Sequence, residues 1–386
     1  MSQSFLSLDF YGNEIIAALA LLDEETGTLR LRHVFRQPCR AFAGALVRDM
    51  EGACHELGEL FNKLGDYTPQ DPTVVVGLRG PFLSYKRSSG FKSVDSRNRI
   101  IGNREIDAAI HNSVPTSLSD TLEVVDILPQ TYTIDGNVGI INPKGMSGFT
   151  LEVETFLSCA LSTHLHTLGH VLAACGCTDY QELPSIIALG ETVIKNDEKQ
   201  AGVLLLDIGQ THTSAVMYHR GTLVDAWELR LGHDTVINAV ADLLQNDLPT
   251  VRDLLAQYEP GSDEIMDDVL EDAQIKLLQM IKKELLEHSL LYLKHPATSC
   301  IICGERTDKS FQKMLKKVFG LRKIRPGSVD HFMTDCAEDA PAAAGAISLL
   351  HHALEREQNR LGISHPKETG LIDGILNKLG LNQLFQ

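Results

Sequence analysis

The stretch Gly202 to Tyr218, GVLLLDIGQTHTSAVMY, constrains the fold more than any other, because strand, turn and second strand can be read from its letters. Val203 to Leu206 is a run of branched apolar residues suited to a buried strand, and Asp207-Ile208-Gly209 ends it with a carboxylate and a permissive backbone. Ser214 to Tyr218 resumes as a strand, and His219-Arg220-Gly221 turns it toward Thr222 to Ala226. The expectation is a β-hairpin with an acid at its tip. The N-terminus repeats the pattern with Phe5 to Asp9, then Gly12 and Asn13, then Ile15 to Leu22. Two strand-acid-glycine-strand units, with strand and helix patterns alternating around them, predict an α/β protein with two related lobes.

Paired hairpins of this kind resemble those on which actin-like proteins and the heat-shock chaperone ATPases hold ATP. There, backbone N–H groups cup the phosphates and the acid orients a magnesium-bound water. Such a fold leaves sugar kinases, chaperone ATPases and filament formers all open.

A chain of 386 residues can build two lobes with separate cores, and 43% apolar against 22% charged residues is a globular composition. The net charge of -16 argues against nucleic acid as a partner and against non-specific adhesion to anionic lipid. Asp9, Asn13 and Glu14 interrupt the opening apolar pattern, which is expected to be a core strand pair and not a signal peptide. No run reaches the length of a membrane span. Cysteines at 39, 54, 159, 175, 177, 300, 303 and 336 are scattered through apolar segments, as expected for reduced thiols in a cytoplasm.

In chain order, apolar residues at three- and four-residue intervals predict a helix over Ala41 to Leu64, and Thr73 to Gly77 reads as a short buried strand. After Pro81 the texture turns polar and basic, the expected start of an inserted α+β module. Within it, Asn103 caps a helix to about Ser113; strands follow at Leu122 to Leu128 and Thr131 to Ile134, and Phe149 to Cys159 re-enters the body. His166, His170, Cys175 and Cys177 have zinc-like spacing, but no carboxylate or second pair follows, so they read as helix and core residues. Cys300 and Cys303 fall on one buried strand with side chains on opposite faces. Leu183 to Gly190 begins the helix joining the lobes, and helices are expected at His233 to Asn246, Thr250 to Gln257, Ser262 to about Lys294, Ser310 to Phe319 and Ala340 to Glu357. The basic cluster Lys313 to Arg325 fits a solvated helix face or a dock for an acidic peptide.

One block goes further: Leu128 to Gly136 (LPQTYTIDG), Gly139-Ile140, Asn142-Pro143-Lys144-Gly145-Met146-Ser147-Gly148 and Leu151 to Glu154. It resembles the bacterial cell-division protein family FtsA, an actin-like family in which this block belongs to an inserted subdomain. The Asp207 hairpin, the helix after Pro184, the strand ending in Gly304, Val318-Phe319 and Pro341 to Gly345 extend the resemblance over nearly the whole chain. It implies a first lobe at 1–80 and 161–200, an inserted FtsA-type subdomain at 81–160, a second lobe at 201–357, a linker at 358–369 and an amphipathic membrane-targeting helix at 370–386. It also implies a cytoplasmic scaffold on the inner face of the membrane at the division site. Such a scaffold polymerises, tethers the FtsZ ring, and meets downstream division proteins through the insert.

The departures concentrate in the nucleotide motifs. The resemblance implies ATP with magnesium on Asp9, Gly12, Asp207, Gly209, Thr211 and Gly304. Tyr11, however, stands where the family has a small residue, Gln210, Thr211 and His212 replace Gly, Gly and Thr, and Glu305 follows Gly304. Side chains there fill space that phosphates need, so the expectation is weak ATP binding or none, and no enzyme beyond weak hydrolysis. The FtsZ tail is expected on the long helix through Lys276, Lys282 or Lys283, because Glu271-Asp272-Ala273 lacks the family's arginine. Leu371, Ile372, Ile375, Leu376 and Leu379 share one helical face and are expected to enter the membrane interface. The rivals are a PilM-like pilus assembly adaptor and an actin-fold ATPase or sugar kinase; no spare acid stands out as a base for a sugar hydroxyl.

Overall fold

The computed structural model describes residues 3–361 apart from 24–26, 66, 68–71, 96, 260, 290–296, 330–332 and 335–342. The chain opens with β1 (Ser4–Tyr11), β2 (Glu14–Leu22) and β3 (Leu29–Pro38), followed by two-residue strands β4 (Phe42–Ala43) and β5 (Leu46–Val47), helix α1 (Met50–Gly65) and β6 (Thr73–Leu78). Next come β7 (Leu83–Ser93), α2 (Asn103–His111), β8 (Leu122–Ile134), β9 (Asn137–Ile140) and β10 (Thr150–Leu161). Helix α3 (Ser162–Ala174), β11 (Gln181–Pro184), α4 (Ser185–Val193) and α5 (Asn196–Ala201) lead to β12 (Val203–Ile208), β13 (Thr213–His219) and β14 (Thr222–Leu229). The remainder is α6 (His233–Leu244), α7 (Leu248–Gln257), α8 (Glu264–His288), β15 (Ser299–Gly304), α9 (Lys309–Phe319), β16 (Lys323–Pro326), β17 (Met333–Thr334) and α10 (Ala344–Leu361).

Two sheets repeat one topology. The first runs β11-β6-β1-β2-β3-β17 and the second β16-β15-β12-β13-β14, with the same antiparallel hairpin (β1–β2, β12–β13) beside the same parallel neighbours (β6, β15). This duplication is the two-lobed actin-like architecture that the paired hairpins predict. Helices α4 and α10 lie between the lobes. Ile186, Ile187 and Leu189 of α4 pack against Leu205, Val216 and Tyr218 of the second sheet, while Ala188 packs with Ala346 and Leu350 of α10 against Phe5 and Val75 of the first. Cys300 and Cys303 point into different cores on opposite faces of β15.

Between β6 and α3 the chain builds a separate antiparallel sheet, β7-β10-β8-β9. Helix α2 lies against it at Gly90, where a Cβ would stand 1.9 Å from the carbonyl oxygen of Ala109. The two-residue turn Asp135-Gly136 joins β8 to β9 with both residues at positive φ, the geometry that right-twisted strands favour. The Asn142 to Gly148 block is a strap along this sheet. Gly145 N–H donates to the Ile101 carbonyl, Ile101 N–H to Met146 and Gly148 N–H to Arg99, and Gly148 has no room for a Cβ beside Ile134.

Several boundaries differ from the sequence reading. Helix α1 begins at Met50, because Gly44 turns at φ +60 and Ala45 N–H donates to the Arg79 carbonyl, so 41–49 is bound into tight turns. The strands expected at 122–128 and 131–134 are one strand, β8, whose Pro129 sits at a register shift against β10 where its missing N–H is tolerated. Helix α2 is capped by Gly102, whose N–H the Glu105 carboxylate accepts, rather than by Asn103. Helix α8 ends at His288, and 290–296 lie outside the described residues. Helix α10 runs on to Leu361. Residues 362–386, with Leu371, Ile372, Ile375, Leu376 and Leu379, lie outside the described residues.

Candidate functional site

The ends of β1, β6, β12 and β15 converge on the crevice between the lobes, where a doubly wound sheet places its ligands. Asp9 lies beside Gly77 in the β1–β6 register and Asp207 beside Cys303 in the β12–β15 register. Two residues past those partners stand Arg79 and Glu305, so the duplication puts a cation at one point and an acid at its counterpart.

Arg79 occupies the middle. Its Nε and Nη2 donate to Oδ1 and Oδ2 of Asp9 at 2.8 and 3.0 Å, and its Nη1 donates to Oδ2 of Asp207 across the crevice. All three side chains are 3% exposed or less. Burial alone would lower the guanidinium pKa, but Asp9 and Asp207 more than offset it and raise it well above the ordinary value. Ser185, at the start of α4, donates to Asp9 Oδ1 at 2.7 Å. The Tyr11 ring lies 5.0 Å below the guanidinium carbon, and its hydroxyl is 3.4 Å from Asp207 Oδ1. Burial and the Asp207 charge raise the Tyr11 pKa well above the usual phenol value, so it is a neutral donor.

Part of the backbone around the second hairpin is committed to itself. Gly209 N–H donates to His212, while the first N–H groups of α6, those of His233 and Asp234, donate to the carbonyls of Gly209 and Gln210. The Gln210 amide donates to Asp234, which also accepts from Arg252. A Cβ on Gly12 would lie 3.6 Å from Glu305 and 3.7 Å from Gln210, so the two hairpin tips face each other across little space. Gly304 packs directly on the Ile208 backbone. Burial, then the Arg79 charge, lowers the His212 pKa to about 4, so the imidazole is neutral. Asp9, Gly12, Asp207 and Gly209 are therefore brought to one crevice, while the Thr211 hydroxyl bonds to its neighbour His212. That crevice does not fit a magnesium nucleotide: its acids are held by an arginine, its helix-terminal donors are spent, and Glu305 and Asp234 oppose an anion.

Sequence reasoning missed Arg79. Its only signal was a charged residue directly after a buried strand, at the crevice end of β6. It also missed Glu228 on β14, which accepts from Ser214 Oγ at 2.7 Å, Tyr85 hydroxyl at 3.1 Å and Gly80 N–H at 3.2 Å. The bonds from Tyr85 and Gly80 tie the second lobe to the root of the insert. Burial raises the Glu228 pKa to about 7.

A second feature lies on the far side of the second lobe. Helices α8 and α9 enclose a groove of about 710 Å³ floored by Ile275, Leu286 and Val318 and rimmed by Lys282, Lys283 and Lys317. Lys282 donates to the Val318 carbonyl at 2.8 Å, while Lys283 is exposed 3.7 Å from Glu287. Lys276 is exposed on the same helix but does not line the groove. Among the described residues no cluster suited to a metal ion occurs, His166, His170, Cys175 and Cys177 included, and no helix is long and apolar enough to cross a membrane.

Fold and crevice together define an actin-like protein of two lobes carrying an inserted sheet domain. Within that class the resemblance is to the FtsA cell-division proteins, and sequence matches bear it out. Residues 83–158 match the family described as the SHS2 domain inserted in FtsA. Cell division protein FtsA of Streptococcus pneumoniae is 22% identical over 342 residues, covering 82% of this chain and 74% of that protein. The Escherichia coli protein of the same name is 21% identical over 329 residues, covering 75% and 76%. Among solved structures, a PilM-PilN type IV pilus biogenesis complex aligns with a TM-score of 0.63 at 15% identity, over 92% of this chain and 99% of that one. A diol dehydratase-reactivating factor aligns at 0.52 and 9% identity, over 92% and 100%. These two likenesses describe the fold.

Proposed function

We propose that this protein is a division scaffold that self-associates and links the FtsZ ring to the inner face of the cytoplasmic membrane. The observation that carries the reading is the FtsA-type domain at 83–158, set into an actin-like body between β6 and α3. PilM shares the body, but that likeness is of fold alone, and the 83–158 match favours division.

The groove between α8 and α9 is the proposed seat of the FtsZ tail. A chain of net charge -16 that gathers Lys282, Lys283 and Lys317 around an apolar floor is suited to an acidic peptide with apolar anchors. Lys276 would act only at the approach. The segment 370–386 is the proposed membrane contact; Lys378 is its only base and Asp373 cancels it, so apolar burial would supply the binding and several subunits would be needed for stable attachment. Downstream division proteins would meet the insert, and chemical turnover is no part of the role.

Fluorescence anisotropy with a cognate FtsZ tail peptide tests the groove. The full chain should bind it, and Lys283→Glu with Lys317→Glu should weaken binding about 10-fold or more, with steep loss at high salt. Binding that is indifferent to both substitutions would remove the groove from the reading.

A further inference from the structure

The crevice that nucleotide holds together in proteins built on two such hairpins is here held together by a side chain. We propose that Arg79 is a built-in cation that clasps Asp9 and Asp207, one acid from each lobe, and keeps the lobes closed without magnesium or nucleotide. This goes beyond the scaffold role and does not depend on which partner the protein meets.

The geometry supports the clasp at several points. Arg79 spends Nε and Nη2 on one lobe and Nη1 on the other, which its planar fork allows and a lysine would not. Asp9 is itself fixed by Ser185 at 2.7 Å, and the Tyr11 hydroxyl stands 3.4 Å from Asp207. The surrounding backbone is shaped to the clasp: Gly77 has no room for a Cβ beside Ser185 and Asp9, and Gly345 has none beside Asp9 and Arg79. Gly44 likewise passes against the Arg79 carbonyl. Three separate glycines thus accommodate the clasp or its immediate support. A second tie, Glu228 to Tyr85 and Gly80, closes the same interface from the side of the insert.

With Arg79 removed, Asp9 and Asp207 are left as two buried carboxylates facing one gap, and a hard cation is the group that would neutralise both. That gives the clasp a signature which a passive structural arginine would lack. Thermal unfolding of the full chain and of Arg79→Ala should be followed with magnesium chloride alone, with magnesium ATP, and with neither. The wild type should be indifferent to both additions. Arg79→Ala should melt lower and show a larger radius of gyration by small-angle scattering. Magnesium alone should recover about 3 °C or more of its loss, and the double variant Arg79→Ala/Asp207→Asn should not recover.

A wild-type rise of about 3 °C or more with magnesium ATP would overturn the proposal, because the crevice would then hold nucleotide. So would an Arg79→Ala protein with unchanged melting and dimensions, or one that melts lower but is untouched by magnesium. Should Arg79→Ala not fold, Asp207→Asn serves instead, since Arg79 keeps its pair with Asp9. It should expand in scattering, and unchanged dimensions would count against the clasp.

Discussion

Replacing Gly345 by alanine tests whether the clasp is packed as tightly as it is charged. Gly345 stands in the first turn of α10, and a Cβ there would lie 2.1 Å from Oδ2 of Asp9 and 2.6 Å from Nη2 of Arg79. Neither atom is a flexible end that could swing aside, because each is bound to the other and Asp9 is also held by Ser185. Either α10 backs off the first lobe or the ions part. Overpacking by one methyl costs about 1–3 kcal/mol, and loosening a buried ion pair adds to it. Alanine's advantage in a helix returns about 0.5–1 kcal/mol. The net expectation is a loss of about 1–3 kcal/mol by urea unfolding at constant slope. Gly58→Ala is the control: nothing lies within 4 Å of its Cβ position on α1, so it should be neutral or stabilising. If Gly345→Ala behaves like Gly58→Ala, the reasoning about the clasp's packing is wrong.

Gly90→Ala should unseat α2 from the inserted sheet, since its Cβ would meet the Ala109 carbonyl at 1.9 Å and the Ser113 nitrogen at 2.6 Å. Hydrogen exchange should rise across α2, β7 and β10 while β12 to β15 stay protected, and uniform protection would contradict this. His212 stays neutral in the fold down to about pH 4, whereas in the unfolded chain it takes a proton below its ordinary pKa of 6.5. Its contribution is therefore fully present above pH 6.5 and is lost as the pH falls toward 4. Between pH 7.5 and pH 5 the stability gap between wild type and His212→Gln should narrow by about 2 kcal/mol, and a constant gap would exclude the burial argument.

The hairpins were legible because their signal is local: an apolar run, an acid, a glycine and a second run. The turn at Arg220-Gly221, which joins β13 to β14, was legible too, and both its residues have positive φ. The insert was legible through Asp135-Gly136 and the Asn142 to Gly148 strap, whose glycines answer to backbone geometry and close packing. The start of α1 was misread because Phe42 and Leu46 keep helical spacing while serving tight turns under Arg79. Arg79 itself could not be recognised from spacing. Its meaning lies in two acids, one 70 residues before it and one 128 residues after it, which only the folded chain brings together. The side chains of Tyr11, Gln210, His212 and Glu305 were legible as departures at the hairpin tips; the guanidinium that lies between the two acids was beyond reach.

Flotation of cognate FtsZ with lipid vesicles tests the proposed tether most directly. Polymerised FtsZ, vesicles and the full chain should float together, and FtsZ should stay at the bottom when the chain is omitted, when it ends at Thr369, or when Lys283 and Lys317 are both reversed to Glu. FtsZ that floats equally with the chain ending at Thr369, or fails to float with the intact chain, would contradict a membrane-tethering role.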